Sequence, residues 1–147
     1  MSHYALMVLH SLSMVIWLGG HALLLLGWCP EAWRSGDPRL LVDALLRLYR
    51  VALPALLVSI VSGLWLAWHW QPETALWFTL ELPASQLILS KLALLFALLL
   101  VHLYVWMRVI PTLTPDRIGR LCLCIALQVL IAATLVGVGT GFRYSGV

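Results

Sequence analysis

Charge is what this chain has least of. Only 10% of its 147 residues are Asp, Glu, Lys or Arg, against about 25% in a soluble domain. None of the four occurs before Glu31. So few charges cannot cover a water-exposed surface, which excludes an ordinary soluble domain. Lys and Arg are missing from the amino end, and the first apolar run is too long for a signal-peptide core. It is expected to be a retained helix. Cysteine is also sparse. Cys29, Cys122 and Cys124 imply no disulfide framework, and Trp28 before Cys29 argues against a lipoprotein cleavage site. The apolar segments hold no acid pair, no Ser/His/Asp set and no glycine-rich phosphate loop, so hydrolytic chemistry has no support.

What is abundant is apolar length, with 63% of the residues hydrophobic. A bilayer is crossed by about 20 apolar residues in a helix. Four such segments are present, at about 4–29, 51–70, 85–109 and 121–141. The expected fold is all-α: a single integral membrane domain, a four-helix bundle over residues 1–147. Asp37-Pro38 reads as an N-cap with proline in the first turn. It opens an amphipathic stretch over 38–50, expected as a short interfacial helix that runs into the second segment with a kink near Pro54. Cys29-Pro30 is expected to end the first segment.

The net charge of +3 is topological and does not indicate nucleic-acid binding. Arg34, Arg39, Arg47 and Arg50 lie between the first two segments, and Arg108, Arg117 and Arg120 around the third connection. The second connection carries Glu73 and Glu81 and no basic residue. The positive-inside rule then implies a multi-pass protein of a bacterial inner membrane with both termini periplasmic. Its three thiols would lie near the reducing cytoplasmic face.

The candidate chemistry is a stripe on the first segment. His3, Met7, His10, Met14, Trp17 and His21 step by 4, 3, 4, 3 and 4, which confines them to an arc of about 80° on a helix. Ionisable groups within a membrane usually face a bundle interior, so this face is expected to turn inward. The third segment carries Lys91 and His102. His10 and His21 are 11 residues apart, and so are Lys91 and His102. Eleven residues are nearly three turns, about 16 Å of rise. The first and third segments run in the same direction, so His10 should lie level with Lys91, and His21 with His102.

Three readings of this arrangement stay open. In the first, the chain binds haem b, with His21 and His102 as axial ligands and Gly19 and Gly20 giving the porphyrin room. His10, Lys91 and His69 would form a second site, with Lys91 or Arg143 meeting a carboxylate. Arg143 could instead pair with Glu73 or Glu81. In the second reading, His3, Met7, His10 and Met14 form a descending copper ladder. His21 and His102, and then the cysteines, would receive the ion. In the third, the polar groups only hold helices together within a larger complex.

These residues also carry a resemblance. His10 with Trp17-Leu18-Gly19-Gly20-His21 resembles the first helix of the short copper-resistance protein D (CopD) family. So do Leu53-Pro54-Ala55, Ser62-Gly63-Leu64-Trp65, Lys91-Leu92-Ala93-Leu94 and the closing Gly137–Arg143. That resemblance implies an inner-membrane protein linked to copper uptake or tolerance. More distantly, His10 with Trp17, Leu48-Tyr49 with Pro54-Ala55, and Lys91 with His102 resemble the protoporphyrinogen oxidases of the HemJ type, four-helix and haem-associated. That family's first helix continues into an end bearing arginine and histidine, whereas Leu23–Cys29 here has neither. The expectation is a haem b protein with a redox or electron-transfer role, and a membrane haem oxidoreductase if it is an enzyme. Its expected surroundings are the lipid bilayer, a quinone or redox protein as electron partner, and a homo-oligomer.

Overall fold

A backbone in hydrocarbon must satisfy its own hydrogen bonds, and for single apolar segments the helix is the way to do so. The structure, a computed structural model, describes residues 3–144, with side chains to residue 139. No strand occurs among the described residues. The α-helices are α1 (His3–Leu23), α2 (Cys29–Ser35), α3 (Pro38–Trp70), α4 (Pro83–Tyr104) and α5 (Ile118–Tyr144). With the short turns that join them they make four membrane-length spans: His3–Ser35, Pro38–Trp70, Pro83–Thr112 and Pro115–Gly139. The chain is a multi-pass membrane protein folded as a four-helix bundle. Leu26, Leu57, Leu103 and Leu123 stand exposed on its outside, where lipid chains are the natural cover.

The local signals explain most boundaries. Gly36 takes φ +67, the left-handed conformation that ends α2. The Asp37 carboxylate then accepts a 2.9 Å hydrogen bond from the Arg39 backbone N–H, capping α3 with Pro38 in its first turn. The amphipathic stretch and the second span are one continuous helix. Leu41, Leu45, Tyr49, Ala52, Leu56 and Ser59 form an unbroken buried stripe along it, and Pro54 lies within it on the exposed side. At the far end of the second connection, the Trp77 indole N–H donates to the Gln71 carbonyl at 2.8 Å.

The first span does not stop at Cys29-Pro30. It passes through a π-turn, Leu24–Trp28, and continues as α2 to Ser35. The third span does the same, with a π-turn at Val105–Val109 ahead of Pro111. In both, the residue directly before the proline donates a wide, five-residue hydrogen bond: Cys29 to the Leu24 carbonyl, and Ile110 to the Val105 carbonyl. A proline has no N–H and crowds the carbonyl four residues back. Widening the turn by one residue relieves that crowding, so the helical path survives the proline.

This gives the two spans a common plan. His10, His21, Leu24 and Pro30 in the first are answered 81 positions later by Lys91, His102, Val105 and Pro111 in the third. The helices pair as hairpins. α1 packs on α3, α4 packs on α5, and α1 and α5 close the middle. α3 and α4 make little direct backbone approach. The space between them is filled by side chains at one level and by a cavity at another.

Candidate functional site

The ring cluster deep in the bundle is built from three spans. α1 supplies Trp17 and His21, one turn apart on its inward face. α3 supplies Tyr49, and the third span supplies His102 and Trp106. The Trp17 and His21 rings are 4.2 Å apart, centre to centre, and Trp17 and His102 are 5.6 Å apart. Tyr49 lies 5.9 Å from His21 and 4.9 Å from His102. Its hydroxyl is 3.3 Å from His102 Nδ1. A phenol oxygen can donate or accept, so either neutral tautomer of His102 satisfies it. Trp106 stacks on the far side of Tyr49 at 5.6 Å. The two histidines expected at one depth are thus brought into one cluster, with Trp17 and Tyr49 between them.

His21 is wholly buried, at 0% exposure. Its Nδ1 lies 2.9 Å from the Trp17 carbonyl oxygen. A carbonyl only accepts, so Nδ1 carries the proton and, in a neutral ring, Nε2 carries a lone pair. That Nε2 has no hydrogen-bond partner, and neither does the buried indole N–H of Trp17. Gln128 on α5 is similarly placed: 1% exposed, with both amide atoms unpartnered. Buried polar atoms without partners are few in native proteins and call for an explanation. Here the sequence puts four such atoms on three side chains of two adjacent helices.

Nearer the amino-terminal end, His10 is held in the same manner by a different helix. Its Nδ1 is 2.9 Å from the Ser59 carbonyl oxygen and 3.1 Å from the Ser62 hydroxyl. The Ser62 hydroxyl spends its own proton on the Val58 carbonyl at 2.6 Å, so it can only accept from His10. Again Nδ1 holds the hydrogen and Nε2 the lone pair. The ring rests on Gly63, where a Cβ would stand 2.9 Å from His10 Cε1.

His10 lines a cavity of about 340 Å³, together with Met7, Met14, Lys91 and Trp70. That is within the range of small-molecule sites, at its lower end. Lys91 reaches it from α4, and its Nζ lies 3.5 Å from where a Gly139 Cβ would be. Each nitrogen-bearing side chain therefore rests on a glycine of its own hairpin partner, His10 on Gly63 and Lys91 on Gly139.

The remaining candidates are dispersed. His69 is not beside His10 and Lys91. It sits at the end of α3 with its ring 5.0 Å from that of His3. Gly20 is a packing position, since a Cβ there would meet Leu48 Cδ1 at 2.3 Å. Gly19 has open space about it, with nothing within 4 Å of a Cβ. Gly20 also lines a second hollow of about 440 Å³, with Trp28, Asp43 and Arg47 at the arginine-rich end. The side chain of Arg143 lies outside the described residues, and with it both of its expected pairings. Cys29, Cys122 and Cys124 are buried and unbridged. Among the described residues, no group of three or more His, Cys, Asp or Glu converges on one point.

Sequence reasoning did not bring in Ser59, because its contribution to His10 is a backbone carbonyl. Tyr49 entered only through a family resemblance. The signal that could have placed it is a ring on the apolar side of the arginine stripe, in phase with Leu41 and Leu45. The chain matches no protein-family model, no curated protein and no solved structure.

Proposed function

We propose that this chain is a haem b-binding protein of the bacterial inner membrane with a redox or electron-transfer role. The observation that carries the reading is the way two imidazoles are held inside the bundle. His10 and His21 each give Nδ1–H to a backbone carbonyl and keep Nε2 as a bare lone pair. A carbonyl on the far nitrogen fixes the tautomer and raises the basicity of the near one, which is how metal-ligating histidines are usually supported. For His21 that lone pair is buried without a partner, an arrangement that an axial ligand resolves.

The residues present fit the group at the cavity, where His10 would present its Nε2. His21 and His102 would serve as the deeper ligand pair only with Trp17 and Tyr49, which pack between them, moved aside. Lys91 on the α4 side of that cavity would hold a propionate. When bound, haem supplies one-electron chemistry at a potential set by its ligands and surroundings. The chain's own residues orient the imidazoles and keep water out with the apolar walls. Trp17 and Tyr49 join the rings of His21 and His102 into one contact path. Both termini would be periplasmic, and a quinone or a redox protein would be the electron partner.

The test is an absorption spectrum. Protein purified from haem-replete cells should show a Soret band that is lost or shifted in His21→Ala and His102→Ala and weakened in His10→Ala. Colourless protein that takes up no haem on titration overturns the reading.

Copper transport or copper tolerance is the second reading, because Met7 and Met14 line the same cavity as His10 and thioethers suit Cu(I). Stoichiometric copper in colourless protein, reduced by Met7→Leu and Met14→Leu, would select it.

A further inference from the structure

The hollow of about 440 Å³ at the arginine-rich end lies between the first span and α3. These two walls run in opposite directions, the first ending at Ser35 and the second starting at Pro38. Gly20 packs on Leu48 at the inner limit of the hollow. Trp28 and Leu40 therefore face each other eight residues nearer the water, about 12 Å along the helices. Leu23 and Leu40 line the hollow and are exposed, so it opens sideways to lipid.

Two charges line it as well. Asp43 and Arg47 stand four residues apart on one stripe of α3, the spacing and order in which a carboxylate and a guanidinium pair across a helical turn. Their side chains form no ion pair and no hydrogen bond, with each other or with any other described residue. Both are exposed. Val51, a further four residues on, is exposed and apolar. From the water inwards the stripe reads carboxylate, guanidinium, hydrocarbon, at about 6 Å per step.

We propose that this hollow binds an aminophospholipid, a lipid whose head carries a phosphate and a primary ammonium. Such a lipid has the complementary order. Its ammonium is outermost, its phosphate lies one two-carbon link further in, and its acyl chains follow. Arg47 meets the phosphate with its fork of donors. The Asp43 carboxylate accepts from the ammonium, and the chains lie over Val51. Basic pockets between membrane helices are a recurrent place for phospholipid heads. Other amphiphiles match less of the stripe. A purely anionic head sets negative charge against Asp43, a choline head has no N–H to give it, and a quinone leaves both charges unmet. The hollow shares no residue with the cavity of His10 and does not depend on what that cavity holds.

The experiment is native mass spectrometry of the full chain, released from micelles that hold equal amounts of phosphatidylethanolamine, phosphatidylcholine and phosphatidylglycerol with identical chains. Phosphatidylethanolamine should be retained at least fivefold over either of the others. Asp43→Asn should abolish its preference over phosphatidylglycerol while phospholipid is still retained. Arg47→Gln should lower retention of all three lipids at least fivefold. Arg50→Gln, at the same end but outside the hollow, should change nothing. All three positions are exposed, so the variants should fold, and circular dichroism checks that they do. Equal retention of the three lipids, phosphatidylglycerol retained above phosphatidylethanolamine, or an undiminished preference in Asp43→Asn overturns the proposal. So does displacement of the lipid by inorganic phosphate or by a short-chain quinone.

Discussion

Replacing Gly63 by alanine adds one methyl group against the ring of His10, and the structure sets the size of the consequence. The new Cβ would lie 2.9 Å from His10 Cε1 and 3.4 Å from Nδ1. Carbon–carbon contact is comfortable at about 3.5–4.0 Å, so the ring must retreat by roughly 0.6 Å or more. Its hydrogen bond to the Ser59 carbonyl begins at 2.9 Å and would stretch towards 3.5 Å, beyond the usual limit of about 3.2 Å. Losing that bond costs about 0.5–1.5 kcal/mol, and the overpacking costs about 1–3 kcal/mol. Alanine returns about 1 kcal/mol because it is the better helix former. The net loss of stability should be about 0.5–3.5 kcal/mol. The effect on the site should be larger, because a ligand displaced by more than about 0.5 Å no longer meets its ion in productive geometry. Haem titration of Gly63→Ala should show at least tenfold weaker uptake at the His10 site, beside a lowered thermal midpoint. Gly19→Ala is the control, since nothing lies within 4 Å of its Cβ: haem uptake should match the parent protein, and the thermal midpoint should rise slightly with the gain in helix propensity. Wild-type uptake by Gly63→Ala would refute the claim that Gly63 sets the position of His10.

Two further substitutions test the deep cluster. Gln128→Met removes two buried, unpartnered amide atoms at nearly constant volume and should raise unfolding stability by about 1–3 kcal/mol. A fall in the thermal midpoint would mean that the amide has a partner in the working protein. Tyr49→Phe deletes the hydroxyl that meets His102 at 3.3 Å and keeps the stacked ring, so the expected loss is about 0.5–1.5 kcal/mol. A stability gain in denaturant or thermal unfolding would contradict that hydrogen bond.

The four spans were legible because lipid leaves so little choice, and apolar length alone announces them. The depth of the nitrogen groups was legible too. The shared 11-residue spacing needs only helical rise, and it placed His21 and His102 in one cluster and His10 and Lys91 at one cavity. What the sequence hid was rotation. Every residue from Ala22 to Trp28 except Gly27 would pass as lipid-facing or core, so no periodicity betrays the π-turn that brings both Leu24 and Cys29 inside. The support of His10 was hidden for a similar reason, because it depends on which face of α3 meets α1, and a glycine and a backbone carbonyl leave no pattern. His69 was grouped with His10 and Lys91 from its place near one end. The face it presents is instead the one that meets His3.

The two π-turns have a consequence for how the chain can vary. Each holds one residue beyond what regular coiling would use, which turns everything after it by about 100°. His21 and His102 both lie three residues before this step. Deleting a single residue from Leu24–Trp28 would swing Cys29 and Ala32 out of the interior yet leave the imidazoles in phase. The arginine-bearing half of each span is thus geared separately from the half that carries the nitrogen ligands, and either can be re-indexed without disturbing the other.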